Sequence, residues 1–317
     1  MVRDRQGIRH RAGPAVRLGA GALFVSVSSV LIDLAGTSPG TASFYRCVLA
    51  LPLLAAAAEF ERRRHRAPGR NELLLGVLGG AFFAGDMLLW TRAIDEVGAG
   101  LSTVVVNVQV IGVPLLAWAI DRETVPWRFV AWVPVMILGV ALTAGLVDGG
   151  AAGTDPVWGT IHAVLAAACY SVFLYLLRRT GLGGRPIQNY FAVIASAGVV
   201  SLVAGWWWHG VDLTPGLRVI GWLIGVAVAG TVIGWLLVAT YSPRLPSHVG
   251  AALLMLTPVG ALALSAVVLG ERPTVPQLIG AVLILAGAYF SGNRLAGLRD
   301  RRTGRAPGRQ DPAPRSP

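Results

Sequence analysis

In a chain of 317 residues with 54% hydrophobic and only 14% charged side chains, a mean hydropathy of +0.63 leaves too little polar surface for a soluble domain, so lipid must be part of the solvent. The net charge of +11 would suit a nucleic-acid binder only if its basic groups shared one face, but all 27 are arginines scattered between apolar runs and over both ends of the chain. Period-2 alternation is absent, which argues against a membrane β-barrel, and Cys47 and Cys169 form neither a disulfide framework nor a zinc motif.

The chain opens with an Arg-rich stretch, 1–14, read as a disordered cytoplasmic tail. The apolar run that follows is too long for a secretory-signal core and is taken as a retained span. Apolar runs near 18 residues or longer then recur, each able to cross a hydrocarbon core of about 30 Å at about 1.5 Å per residue. The expected spans are 15–35, 39–58, 72–92, 98–120 and 128–147, then 157–177, 188–208, 218–240, 247–269 and 275–293. The fold class is therefore all-α integral membrane, with ten transmembrane helices. Residues 148–156 read as a periplasmic linker, and 294–317 as a disordered basic cytoplasmic tail.

Ten spans put both termini on one side, and the arginines say which. Segments on the terminal side carry 23 of them, the other side has Arg92, Arg218 and Arg272, and Arg46 lies within a span. The positive-inside rule then places both termini in the cytoplasm of a cell whose inner membrane this chain crosses. Trp158, Trp206, Trp207, Trp208 and Trp222 fall at expected outer ends and Trp118 and Trp127 at inner ends, where indole rings prefer the headgroup boundary.

The chain also repeats itself. At an offset of 149, Gly76, Gly85, Leu88 and Thr91 meet Gly225, Gly234, Leu237 and Thr240. At 150, Gly100 meets Gly250, and Arg122 with Thr124-Val125-Pro126 meets Arg272 with Thr274-Val275-Pro276. A first five-helix repeat at 15–147 and a second at 157–293 each hold an odd number of spans, so the two copies must be inverted. Inverted repeats are an architecture of alternating-access carriers, with substrate held between the halves near the midplane.

Ionisable and polar groups inside spans cost about 2.5–3.5 kcal/mol on insertion scales when charged, and so are functional candidates. Asp86 and Arg46 lie at matched depth in spans 3 and 2, where they form either a structural ion pair or a substrate or coupling site. Asp33 sits near the outer end of span 1, at the water interface or as a second carboxylate. Trp235 aligns with Asp86 in the repeat, and with Tyr190 it supplies an aromatic wall suited to a zwitterion or an organic cation. Asn107 and Gln109, two apart in span 4, point in different directions, one toward a cavity and one toward a neighbouring helix. His162 in span 6 reads as a structural hydrogen bond or a proton relay. No acid, base or nucleophile cluster marks a catalytic centre, and no metal or cofactor is expected.

Ser43-Phe44-Tyr45-Arg46 in span 2, the Gly-rich span 3, the Ala261 to Gly270 run ending in Gly270-Glu271-Arg272-Pro273, and Gly280 with Gly287 in the last span are similar to the drug/metabolite transporter superfamily, in particular its EamA-type ten-helix members. That resemblance, over about residues 15–293, implies efflux or, less often, uptake of a small metabolite, amino acid or drug, driven by an ion gradient such as protons or by exchange. The partners it implies are the lipid bilayer and a small-molecule substrate, with no nucleic acid. The competing readings are an integral-membrane lipid-modifying enzyme and a non-transporting membrane scaffold.

Overall fold

The structure is a computed structural model that describes residues 2–122, 127–143, 154–181, 184–208, 210–244, 253–254 and 256–302. The linker positions 148–153, the Thr124-Val125-Pro126 motif, Gly250 and residues 303–317 lie outside the described residues. Among the described residues, seven helices are long and apolar enough to cross a membrane, and Val130–Gly139, Leu256–Leu269 and Val275–Gly287 are three shorter apolar ones. These are the ten expected spans. Helical backbone runs back to Val2 at one end and on to Arg302 at the other, into segments where tails are expected. Arginine is a good helix former and favours these extensions from an already nucleated span, against the opposing cost of Gly13 and Pro14 inside the first helix.

Local chemistry explains where the spans start and bend. Span 2 begins at Ser38, whose Oγ accepts from the Thr41 amide at 3.2 Å, with Pro39 in the first helical turn where its missing N–H costs nothing. It is two helices, Pro39–Val48 and Leu51–Arg62, because Pro52 cannot donate to the Val48 carbonyl. Span 3, Arg70–Val97, is joined to span 4 by Gly98 alone, at φ 90°, a conformation that a side chain resists. Span 4 is also broken, into Ala99–Val106 and Gln109–Asp121. Span 8 holds a π-helix, Val226–Gly234, between Leu217–Gly225 and Trp235–Tyr241, and span 9 ends in another, Ser265–Leu269. A π-helix keeps its backbone groups bonded within the segment, so it is tolerated in a membrane whether buried, as at Gly230 and Thr231, or exposed, as at Val267 and Val268.

The packing follows the repeat. Span 3 lies against span 6 (Pro156–Gly181) and span 7 (Pro186–Trp208), while span 8 lies against spans 1 and 2. Span 9 meets span 1 as span 4 meets span 6, and the pairs 2 with 7, 4 with 9 and 5 with 10 map onto themselves. Exchanging each span with the one five places on therefore reproduces the most extensive contacts between the halves, as expected of two repeats related by a two-fold axis. Because five crossings reverse direction, the repeats are inverted.

Glycines make the close approaches. A Cβ on Gly85 would stand 3.2 Å from Cys169 Sγ in span 6, and one on its repeat mate Gly234 would stand 3.0 Å from the Val25 amide in span 1. The two glycines thus occupy equivalent places. Gly21 packs against the Gly234 carbonyl, and Gly225 against Leu31, so these residues serve helix packing. Trp118, Trp158, Trp206 and Trp207 are exposed on the outside of the bundle, as interfacial anchors are.

Candidate functional site

The centre of the bundle is built on one face of span 3. Phe83, Asp86 and Trp90 follow one another at helical spacing, and Arg46 reaches them from span 2. The guanidinium carbon of Arg46 stands 6.0 Å from the Phe83 ring and 5.9 Å from the Trp90 ring, between the two. Arg46 is 2% exposed and Asp86 7%, so both point inward, away from lipid. They are neighbours, yet they are not joined within ion-pairing distance. Arg46 Nε instead donates to Thr231 Oγ1 at 3.3 Å, and Asp86 Oδ1 is buried with no hydrogen-bond partner among the described residues. The structural ion pair that the sequence left open is therefore not formed here.

Tyr190, fully buried, donates its hydroxyl to the Thr231 carbonyl at 3.0 Å, so one residue of the span 8 π-helix receives bonds from spans 2 and 7. Trp235, 4% exposed, belongs to an aromatic cluster rather than standing alone. Its ring is 5.6 Å from Phe83, 5.4 Å from Phe173 and 5.7 Å from Tyr170, in edge-to-face contacts, while Phe83 stacks on Phe173 at 4.5 Å. Both halves contribute: Phe83 comes from the first repeat, Tyr170, Phe173 and Trp235 from the second.

The other candidates are elsewhere. Asn107 donates Nδ2 to the Thr103 carbonyl at 2.8 Å, capping its own half-helix at the break in span 4. Gln109 is buried, and its main-chain carbonyl accepts from Ser171 Oγ of span 6 at 3.5 Å. Asp33 is half-buried at the end of span 1, with Glu271 and Asp95 among its charged neighbours.

His162 lies at a second place, the face opposite the chain termini. Its Nδ1 is 2.6 Å from Glu96 Oε2, and Glu96 Oε1 is 2.7 Å from Arg92 Nε. Trp158 and Trp208 flank the imidazole at ring distances of 6.0 and 5.9 Å. These residues, with Thr154 and Asp155, line a pocket of about 390 Å³. On the terminal face, Arg185 binds Glu72 through Nη2 at 2.8 Å to both carboxylate oxygens and holds the Arg66 and Ala67 carbonyls through Nη1.

Two carboxylates cross between the repeats as helix caps. Glu271, from the second repeat, accepts from the Ala99 and Gly100 amides at 2.7 and 3.2 Å and so caps span 4. Glu61, from the first, accepts from the Gln188 amide at 2.8 Å at the start of span 7. Each places negative charge on the positive end of a helix dipole in the other half.

The family follows from two matches along this chain: the model of the EamA-like transporter family fits residues 18–145 and again residues 157–292. The chain belongs to the EamA-like transporter family. Among curated proteins, a "Probable amino-acid metabolite efflux pump" of Salmonella typhimurium (strain LT2) is 27% identical over 221 residues, 66% of this chain and 72% of that protein. Among solved structures, a crystal structure 16% identical superposes with a TM-score of 0.60 over 93% of this chain and 99% of its own, which supports the fold. This EamA-like chain is thus a multi-pass membrane transporter of small molecules. The family and the efflux-pump relative both point to transport and away from an enzyme.

In this EamA-like protein several site residues carried no sequence signal of their own. In sequence, nothing distinguishes Tyr170 and Phe173 from the apolar filling of span 6, or Thr231 from any helical threonine. Glu96 was legible, since Arg92 and Glu96 stand four apart on one helix, the spacing of an ion pair.

Proposed function

We propose that the chain is a secondary transporter that exports a small metabolite, amino acid or drug-like solute across the cytoplasmic membrane by alternating access. Both termini lie in the cytoplasm, residues 148–156 link the repeats on the periplasmic side, and protons are the coupling ion. The observation that carries the reading is Asp86: a buried carboxylate beside Arg46, where both repeats meet, that makes no bond among the described residues. Stranding a charge in a membrane interior is costly, and such groups mark substrate or ion pathways. The printed name of the Salmonella relative supports export and metabolite cargo.

Each face is held by different ties between the repeats. Glu96 with His162, and Glu271 with the start of span 4, close the face opposite the termini. Arg185 with Glu72, and Glu61 with span 7, close the terminal face. Releasing one set while keeping the other exposes Asp86 to one side at a time, as alternating access requires.

The test works whatever the solute is. Cells producing the wild-type chain or Asp86→Asn at equal membrane levels are compared by mass spectrometry of the medium. Metabolites enriched outside by wild type and not by Asp86→Asn are expected. Identical media from both strains and from an empty control would overturn the proposal.

A further inference from the structure

Around Arg46 lies a concentration of hydrogen-bond donors with nothing to donate to. Only its Nε has a partner among the described residues, Thr231, and that leaves both Nη groups free of acceptors. Ser43, one helical turn earlier in span 2, is fully buried with an unpartnered hydroxyl. Ser28 of span 1 is in the same state, and its hydroxyl fills the place where a Cβ on Gly230 would stand, a point 3.9 Å from Arg46 Nη2. Trp90 Nε1, on the ring that faces the guanidinium, is also buried and unbonded. Buried polar groups are nearly always paired, and several orphans around one cation describe a missing partner.

The chemistry of that partner can be read from the donors. A guanidinium and an indole N–H can only donate, and a hydroxyl can, so the missing group is an acceptor. The free Nη edge suits a planar, two-oxygen anion, which guanidinium binds through parallel bonds. Asp86 stands nearby and is the other charge in the neighbourhood, so a singly charged anion is accommodated better than a phosphate dianion. Asp86 does not itself fill the role, because it lies outside ion-pairing distance and its own Oδ1 is unbonded. Beyond Phe83 lies an aromatic cluster of Phe173, Tyr170 and Trp235, set among aliphatic side chains such as Met87 and Val193.

We propose that Arg46, Trp90 and the Ser28 and Ser43 hydroxyls form a receptor for the carboxylate of the transported solute, whose apolar body lies toward the Phe83, Tyr170, Phe173 and Trp235 rings. This deepens the transporter reading by naming a substrate class: small organic monocarboxylates with an apolar or aromatic body.

The purified protein in lipid nanodiscs is titrated with monocarboxylates from butyrate to 3-phenylpropionate, and with phenethylamine and phenyl phosphate as matched bodies without a carboxylate. Tryptophan fluorescence and melting temperature are followed. Saturable binding of one or more of the acids, and of neither other compound, is the expected result. Arg46→Lys, which keeps the charge and loses the planar fork, should weaken acid binding about tenfold or more. Trp90→Phe, which keeps the ring and loses the N–H, should weaken it about threefold to tenfold and keeps the test alive should the Arg46 variant misfold. Failure of every acid to bind, equal binding of phenethylamine or phenyl phosphate, or unchanged affinity in Trp90→Phe would each overturn the carboxylate receptor. Asp86-dependent export of solutes that lack a carboxylate would refute it while leaving the transporter reading in place.

Discussion

Tyr190 holds Thr231 by its main chain: the phenol of span 7 donates at 3.0 Å to a carbonyl inside the π-helical turn of span 8, while the Thr231 side chain receives Arg46. A carbonyl deprived of a buried donor costs about 1–3 kcal/mol. Tyr190→Phe is therefore expected to insert normally but melt at a lower temperature. A melting curve matching wild type would show that the bond contributes nothing.

Asp86→Asn is expected to separate stability from transport. The carboxylate has no bond to lose, and neutralising a buried, unpaired charge removes a desolvation penalty. The variant should melt at or above the wild-type temperature while its export falls to background. A marked loss of stability would mean that Asp86 is a structural tie to Arg46 after all.

Gly98→Ala should be among the most damaging small substitutions in the chain. At φ 90° an alanine is strained, and its Cβ would stand 3.0 Å from Glu271 Oε1, so the cost is about 1–3 kcal/mol or more. Gly184→Ala shares a positive φ of 75° but has open space around it and should cost less. Comparing folded yield and melting temperature of the two checks the order; equal effects would remove any role for the Glu271 contact.

Glu96 is 4% exposed and shared by the partly exposed Arg92 and His162, so Glu96→Gln weakens a half-buried network and is expected to cost about 1–3 kcal/mol. Glu59→Gln removes an exposed carboxylate from Arg62 and Arg63 and should leave the melting temperature unchanged. Thermal melts of both variants decide it.

The orientation is checked by cysteine labelling in a background lacking Cys47 and Cys169. Arg64→Cys should be protected from a membrane-impermeant thiol reagent in intact cells, and Thr154→Cys should react. Labelling of residue 64 from outside would invert the topology.

The ten spans were legible because lipid imposes a single rule, an apolar run long enough to cross, and the repeat was legible because Gly85 and Gly234 keep one register. Asp86 and Arg46 announced themselves as charges in apolar sequence. What could not be read was their relation: two charges at similar depth look like a pair, and only side-chain direction separates a bond to Thr231 from one to Asp86. Tyr170 and Phe173 were hidden for a different reason, since an aromatic ring has the same hydropathy whether it fills a core or walls a site. The inter-repeat caps from Glu61 and Glu271 were invisible too, because each meets its helix end only after the halves assemble.

The break in span 4 turns a rod into a lever. Near it the amides of Asn107, Val108 and Ile111 reach back only three residues, to Val104, Val105 and Val108, so bending there disturbs few bonds. The arm from Ala99 to Val106 is about 12 Å long at about 1.5 Å per residue, and its tip is fastened to Glu271 at one carboxylate. Swinging that arm by about 20°, the size of an ordinary helix kink, would carry the tip roughly 4 Å, wider than a water molecule. Letting go of Glu271 frees that tip up to its Gly98 joint with span 3, and the opening that results is one that water can enter.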